Sequence, residues 1–267
     1  MITLFNGETY LEGEINTMAA DDSFYYGHLG KHALSSSVLR NIFDDPDKQL
    51  QYMKGKGGNT EALMLGKLTH WCWLEPDVFY RQVYTDLRGN SNAYKELVAQ
   101  HGEENVFKEK HRNIAEWLCR RLDNNEEIRE IRKNADVEVA SVKMIDVDGK
   151  KYPVRGKADM IKGDTIYDLK TGIVTPQQFE WKIDAMNYDL QAWIYMQLFP
   201  ELKNFTFIYI NKHTRAPGII EMPQSVIDRG GEKYKTAVEV YMKIFHGKEI
   251  DEIEFLLDQY VYRGTAR

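Results

Sequence analysis

The sequence predicts an α/β (α+β) fold with an α-β-β-β-α-β core, a mixed central sheet and extra helices. Three observations carry this reading. Between Val137 and Lys170 the residues alternate as strands do, and turn chemistry interrupts them at Asp148-Gly149 and at Lys162-Gly163-Asp164. On either side of that meander, apolar residues recur at helical spacing over 62–72 and 188–198. A further strand-like run, 205–210, follows the second of these helices.

Taken in order, residues 1–33 read as irregular, with Gly7, Gly13, Gly27 and Gly30 among several aromatics. A helix is expected from Ser35, because Ser35, Ser36 and Ser37 offer N-caps ahead of Val38, Leu39 and Ile42, and it should stop near Asp45-Pro46. Residues 54–58, Lys-Gly-Lys-Gly-Gly, read as a flexible basic loop. Thr60 then caps a helix bearing Leu63, Leu65, Leu68, Trp71 and Cys72, closed by Glu75-Pro76. Residues 91–134 read as charge-rich helices with Ile114, Trp117, Leu118, Leu122 and Ile128 as their apolar positions.

Strands follow at 137–145, 152–161 and 165–170, the last ended by Thr171-Gly172. Thr175-Pro176, with Gln178 three residues after the threonine, is a capping box that opens a helix. The helix over 188–198 is stopped by Pro200, a fifth strand is expected at 218–222, and a last helix at 226–245. The expected organisation is one domain over 1–267. It has an N-terminal appendage (1–59), a core (60–212) with a helical insertion at about 91–134, and a C-terminal helical region (213–267).

Composition narrows the class. With 35 Lys and Arg against 41 Asp and Glu, a globally basic nucleic-acid packager is excluded, whereas a local basic groove is not. Two cysteines, Cys72 and Cys119, are too few for a disulfide scaffold or a four-thiolate metal site. No apolar run approaches the roughly 20 residues of a membrane span, so no membrane association is expected. The acidic N-terminus lacks the order of a signal peptide, and a cytoplasmic protein is expected.

The chemistry lies in the strands. Glu138, Asp159 and Asp168 fall in three successive strands, and the turn at 162–164 brings Asp159 and Asp168 close. Asp168 and Lys170, two residues apart, share a face, while Leu169 points to the other with its carbonyl still available. Carboxylates this close repel unless a cation or proton compensates, and oxygen ligands suit Mg²⁺ or Mn²⁺. A lysine beside such a site can orient water or offset phosphoryl charge. The same residues would also fit a solvated strand face with a surface Asp–Lys pair.

Gly156-Lys157-Ala158-Asp159 followed by Tyr167-Asp168-Leu169-Lys170-Thr171-Gly172 resembles motifs II and III of the PD-(D/E)XK nuclease superfamily. The resemblance is to its RecB-like and exonuclease VIII (RecE)-like phage exonuclease branch, where G-x-x-D precedes D-x-K-T. Gly66-Lys67-Leu68-Thr69-His70 resembles that branch's upstream G-x-x-x-H motif, and Gln191-Ala192-Trp193-Ile194-Tyr195 its Q-x-x-x-Y helix. Leu34 to Ser37 with Asp45-Pro46 looks like its N-terminal element. The four main motifs stand in the branch's order and cover about residues 60–212.

The resemblance implies a restriction-endonuclease-like fold and a metal-dependent exodeoxyribonuclease. Asp159, Asp168, the Leu169 carbonyl and His70 would hold one or two Mg²⁺ ions, Mn²⁺ substituting, with Glu138 near them. Lys170 would position the hydrolytic water, and Gln191 and Tyr195 the substrate or Lys170. The residues themselves leave room for a core histidine at 70, an exposed Glu138, and a Gln191 and Tyr195 that only pack their helix beside Trp193. Family analogy adds linear duplex DNA resected from the 5′ end for recombination, a phage origin, a ring-shaped homo-oligomer and a single-strand annealing protein as partner. The iron–sulfur members of the branch use four cysteines, so no iron–sulfur cluster is expected here, and the lack of a Walker A loop argues against a fused ATP motor. A structure-specific endonuclease, a RecB-like nuclease serving a separate helicase, and an idle DNA-binding module are the rival readings. To hold duplex DNA despite the acidic pI, Lys54, Lys56, Arg155, Lys157, Lys212 and Arg215 are expected on the face of Asp159 and Asp168.

Overall fold

Buried apolar side chains near the N-terminus override what its glycines suggest. The computed structural model describes residues 1–56 and 60–261, so Gly57 and Gly58 of the expected basic loop lie outside the described residues. Residues 1–33 are not irregular: they form strands β1 (Ile2–Thr3) and β2 (Thr9–Tyr10), helix α1 (Glu12–Met18), a π-helical segment (Ser23–His28) and helix α2 (Leu29–His32). Gly13, Gly27 and Gly30 sit inside these helical segments. Ile15, Ala19, Tyr25 and Leu29 bury against Val142, and that burial outweighs a helix penalty of about 1 kcal/mol per glycine.

Strand β3 (Leu34–Ser35) leads into helix α3 (Ser36–Asp44), which Ser35 caps by accepting the Val38 N–H. Asp45 then caps α4 (Pro46–Met53), a helix not expected from the sequence, with proline at its first position. Thr60 caps α5 (Glu61–Leu74), which ends at Glu75 as its proline signal requires. Helix α6 (Pro76–Arg81) follows, and the stretch read as charge-rich helices, 91–134, holds α7 (Asn92–His101), α8 (Glu109–Asp123) and α9 (Glu126–Arg132). A small parallel pair that was not anticipated, β4 (Val83–Thr85) with β5 (Val106–Lys108), ties this stretch to the chain just before it.

The meander is β6 (Asp136–Val147), β7 (Lys150–Lys162) and β8 (Thr165–Gly172). Its turns carry positive φ at Asp148 and Gly149 and at Gly163, the conformations that those residue types tolerate. The capping box at Thr175 and Gln178 opens α10 (Pro176–Lys182), followed by α11 (Tyr188–Leu198), β9 (Asn204–Asn211), β10 (Pro217–Glu221), α12 (Gln224–Val240) and α13 (Ile250–Asp258).

The central sheet is mixed and runs β10-β9-β8-β7-β3, with β6 antiparallel to β7. Strands β8 and β9 are parallel, and β10 is antiparallel to β9. Phe205, Phe207 and Tyr209 pack on one face with Phe179, Leu190 and Ile194 of α10 and α11. Met160, Leu169, Ile208 and Ile210 pack on the other with Trp73 of α5 and Leu118 of α8. The alternation of β8 therefore sends Leu169 to the α5 side and Asp168 and Lys170 to the α11 side.

Candidate active site

Strands β7 and β8 are paired only near their turn, from Met160 with Tyr167 to Lys162 with Thr165. Beyond that they part, and β7 takes β3 instead, with Leu34 opposite Val154 and Ser35 opposite Arg155. Asp159 and Asp168 stand at this fork. Asp159 reaches across it, its Oδ2 accepting the Leu169 N–H at 2.8 Å. Its Oδ1 lies 3.0 Å from Nε2 of His70, which α5 projects from its third turn.

Glu138 joins them from β6. Its neighbours Val137 and Val139 pair with Met160 and Ala158, which sets Glu138 opposite Asp159. Its backbone is left-handed, at φ +53°, a conformation that costs a strand residue energy and is held by its surroundings. Its Oε1 is buried 3.4 Å from His70 Nε2, with no aligned hydrogen-bond donor.

Asp168 is buried, and its two oxygens differ. Oδ1 accepts from Gln191 Nε2 at 2.6 Å, while Oδ2 has the Lys170 ammonium beside it but no aligned hydrogen bond. Lys170 in turn lies over the rings of Tyr188, at 5.2 Å, and Phe207, at 5.7 Å. Tyr195 lines a pocket with His70, Glu138 and Asp159, and its hydroxyl donates to the Lys157 carbonyl at 2.9 Å. A Cβ on Gly156 would collide with Leu198 and touch the Tyr195 ring, so the glycine of G-x-x-D lets α11 lie this close to β7.

The ionisations follow from this crowding. Burial opposes charge on His70, yet Asp159, Glu138 and Asp168 outweigh it and raise its pKa to about 9. Burial likewise opposes charge on Asp159, but His70, Lys170 and the Leu169 N–H hold it below the usual carboxylate value. Burial pushes Asp168 up to about 6, with Asp159 adding to the rise and Lys170 only partly offsetting it. Burial, reinforced by Asp159 and Glu75, pushes Glu138 up to about 7 against the pull of His70. Burial opposes charge on Lys170, but Asp168, Tyr188 and Asp159 together outweigh it and raise its pKa.

These donors fit a hard divalent cation. Asp168 Oδ2 and Glu138 Oε1 are buried oxygens without aligned donors, and a site of carboxylates with one imidazole suits such an ion. Among the described residues, ligand atoms of His70, Glu75 and Glu138 lie within 4.8 Å of one another. Glu75 was not anticipated. It follows the last turn of α5 in a non-helical conformation, so helical spacing from His70 does not place it, and its Glu-Pro sequence reads simply as a stop.

A cleft of about 840 Å³ opens over the cluster, lined by His70, Glu75, Glu138, Leu169 and Lys170 and by the cations Arg40, Lys67 and Lys212. Of the basic residues expected on the face of Asp159 and Asp168, Lys212 lines this cleft, and two more share a pocket with Asp159. Arg155 and Lys157 wall a smaller adjoining pocket, Lys54 pairs with Glu254, and Arg215 lies 3.3 Å over Trp117. Arg40 and Lys67 are the cations that sequence reasoning missed, although Lys67 stands inside the G-x-x-x-H segment. Among the described residues, no helix is long and apolar enough to cross a membrane.

Comparison with solved structures finds the same fold in a "Putative exonuclease" from Eubacterium rectale, at 13% identity and a TM-score of 0.60, covering 97% of each chain. A second structure, SSO0001, overlaps 76% of this chain and 75% of its own at 16% identity, but its TM-score of 0.37 is too low to carry weight. No curated protein matches the sequence. A family profile described as a PDDEXK-like domain of unknown function (DUF3799) matches residues 35–252. That span takes in α3, α5, the whole central sheet from Ser35 onward and the fork with its acids, and the chain belongs to this PDDEXK-like family.

Proposed function

We propose that the protein is a Mg²⁺-dependent deoxyribonuclease that degrades linear duplex DNA from the 5′ end. The observation that carries the reading is the fork of β7 and β8, where Asp159, Asp168 and Lys170 converge beneath a cation-lined cleft. Asp159 and Asp168, with the Leu169 carbonyl, His70 and Glu138, are the residues that would hold divalent metal. When bound, such an ion supplies charge neutralisation at the scissile phosphate and at the leaving oxygen.

The chain's own groups supply the rest. Lys170 has an ammonium beside Asp168 and holds or orients the attacking water while offsetting phosphoryl charge. Gln191 fixes the Asp168 carboxylate through Oδ1 and leaves Oδ2 turned toward Lys170. The Leu169 N–H holds Asp159 in the same way. Tyr195 acts one layer back, anchoring α11 to the β7 backbone at Lys157. Water attack at phosphorus with departure of the 3′ oxygen leaves a 3′-hydroxyl on the released nucleotide and a 5′-phosphate on the shortened strand.

The test is an assay of end-labelled linear duplex against closed circular duplex, each with Mg²⁺ and with chelator. Mg²⁺-dependent loss of 5′ label from the linear form, with the circle intact, is expected. Cutting of the circle would point to an endonuclease, and no cutting of either would remove the hydrolytic reading.

A further inference from the structure

We infer that the outer edge of β10 takes an extended, basic segment of a partner protein as an added strand. The inference does not depend on the nuclease reading. Strand β10 stands at one end of the central sheet and, among the described residues, has β9 as its only strand neighbour. Its pairing fixes which way the backbone points. Asn211 N–H donates to the Ala216 carbonyl and Met222 N–H to the Phe205 carbonyl, and the register between these bonds is unbroken. In an antiparallel pair, each residue turns both of its backbone groups to one neighbour, and successive residues alternate. Gly218 and Ile220 therefore face β9, whereas Pro217, Ile219 and Glu221 face outward. Proline has no N–H, so the donors of this edge are Ile219 and Glu221, while all three residues offer a carbonyl.

The surroundings decide what kind of strand fits. A groove of about 540 Å³ lies along this edge, with Asn125, Glu127 and Ile128 on one side and Ile219 and Glu221 of β10 on the other. Directly opposed residues of paired strands share a face, so side chains laid against Ile219 and Glu221 point with them toward α9. Ile219 packs in the same apolar cluster as the buried Ile128, which makes a seat for one apolar side chain. Two residues further on, Glu221 is exposed, as is Glu127 across the groove. Among the described residues neither acid has an ion-pair partner, and no cation lines the groove. A basic side chain two residues from an apolar one complements this pattern. A second copy of β10 does so poorly: two-fold pairing centred on Ile219 sets each Glu221 against a proline without a donor, and adds acids but no cation. Pro217 and Glu221 are also the residue types that discourage like edges from pairing, which leaves this one selective and not closed. Main-chain bonds then give the hold, and the alternate side chains choose the partner.

The test uses the full chain, isotopically labelled, and two peptides: Thr-Lys-Thr-Val-Thr-Lys-Thr and its counterpart with Glu in place of each Lys. Amide hydrogen exchange is followed by NMR with and without peptide. The Ile219 and Glu221 amides should exchange freely in the protein alone and slow at least about tenfold with the lysine peptide, while Gly218 and Ile220 stay protected throughout. The glutamate peptide should change none of them. Glu221→Pro removes an outward donor and an acid but no bond to β9, and should weaken lysine-peptide binding, read at Ile219, at least about tenfold. Should that variant fail to fold, Glu127→Lys combined with Glu221→Lys should lose the lysine peptide and take the glutamate one. Protection of Ile219 by both peptides alike, or by neither, overturns the proposal. So does undiminished binding in Glu221→Pro, or a charge-reversed variant that keeps the lysine peptide. A wild type that sediments as a dimer, dissociated by Glu221→Pro, gives the edge to a second copy and likewise overturns the assignment.

Discussion

Gln191 Nε2 stands 2.6 Å from Asp168 Oδ1, joining the middle of α11 to the third strand of the meander. The contact turns a buried, hard-to-ionise carboxylate into one with a fixed orientation, its other oxygen facing Lys170. Removing the amide should leave Asp168 an unsatisfied buried acceptor, at a cost of about 1–3 kcal/mol. Supporting partners of metal ligands are typically worth about 10–100-fold in metal affinity. Gln191→Leu should therefore remain folded but bind Mn²⁺ or Mg²⁺ at least about tenfold more weakly in a calorimetric titration. An unchanged affinity would show that α11 only packs here.

The raised ionisations predict how stability depends on pH. Asp168 at about 6, Glu138 at about 7 and His70 at about 9 all bind protons more tightly in the folded protein than in the unfolded chain. Stability from such groups is fully present below their unfolded values and is lost as pH rises through the folded ones. In chelator, the Tm should thus fall from about pH 4 to pH 9, most steeply between 6 and 9. Divalent metal replaces those protons, so the Tm gain on adding Mg²⁺ should grow with pH over the same window. A flat profile in chelator, or a metal effect largest at low pH, would contradict the shared acid site.

Much of this was legible in the residues. Turn chemistry at Asp148-Gly149 and Gly163 sets the meander, and the alternation of Asp168, Leu169 and Lys170 sets which face each side chain takes. Thr60, Ser35 and the Thr175–Gln178 box mark helix starts where the structure has them. What was not legible depends on tertiary contact. The N-terminal helices form because Ile15 and Leu29 find Val142, far away in sequence. Glu75 enters the cluster through a non-helical backbone angle, and Arg155 is buried because β3 pairs beside it. Long-range packing, not local propensity, decides each of these.

The cleft cations should show themselves in salt dependence. Arg40, Lys67 and Lys212 line it alongside the acids Asp22, Glu75 and Glu138, a mixed rim in a chain of net charge −6. Duplex binding, measured in Ca²⁺ to hold off cutting, should weaken with added salt through counterion release. Lys67→Ala combined with Lys212→Ala should shallow the log–log slope by about 1.8, if each lysine meets one phosphate. An unaltered slope would place DNA on another face.

Lys170 gives the most direct test of the central claim, that Asp159 and Asp168 hold metal while Lys170 serves the chemistry. An ammonium cannot ligate a cation, yet its nitrogen lies against Asp168 at the floor of the cleft. The measurement is a calorimetric metal titration run beside turnover of linear duplex for Lys170→Ala and Asp168→Ala. Lys170→Ala should lose about 100-fold or more in turnover while keeping or gaining metal affinity, and Asp168→Ala should lose both. A Lys170→Ala variant that cuts at the wild-type rate would contradict the account, reducing Lys170 to a partner for Asp168.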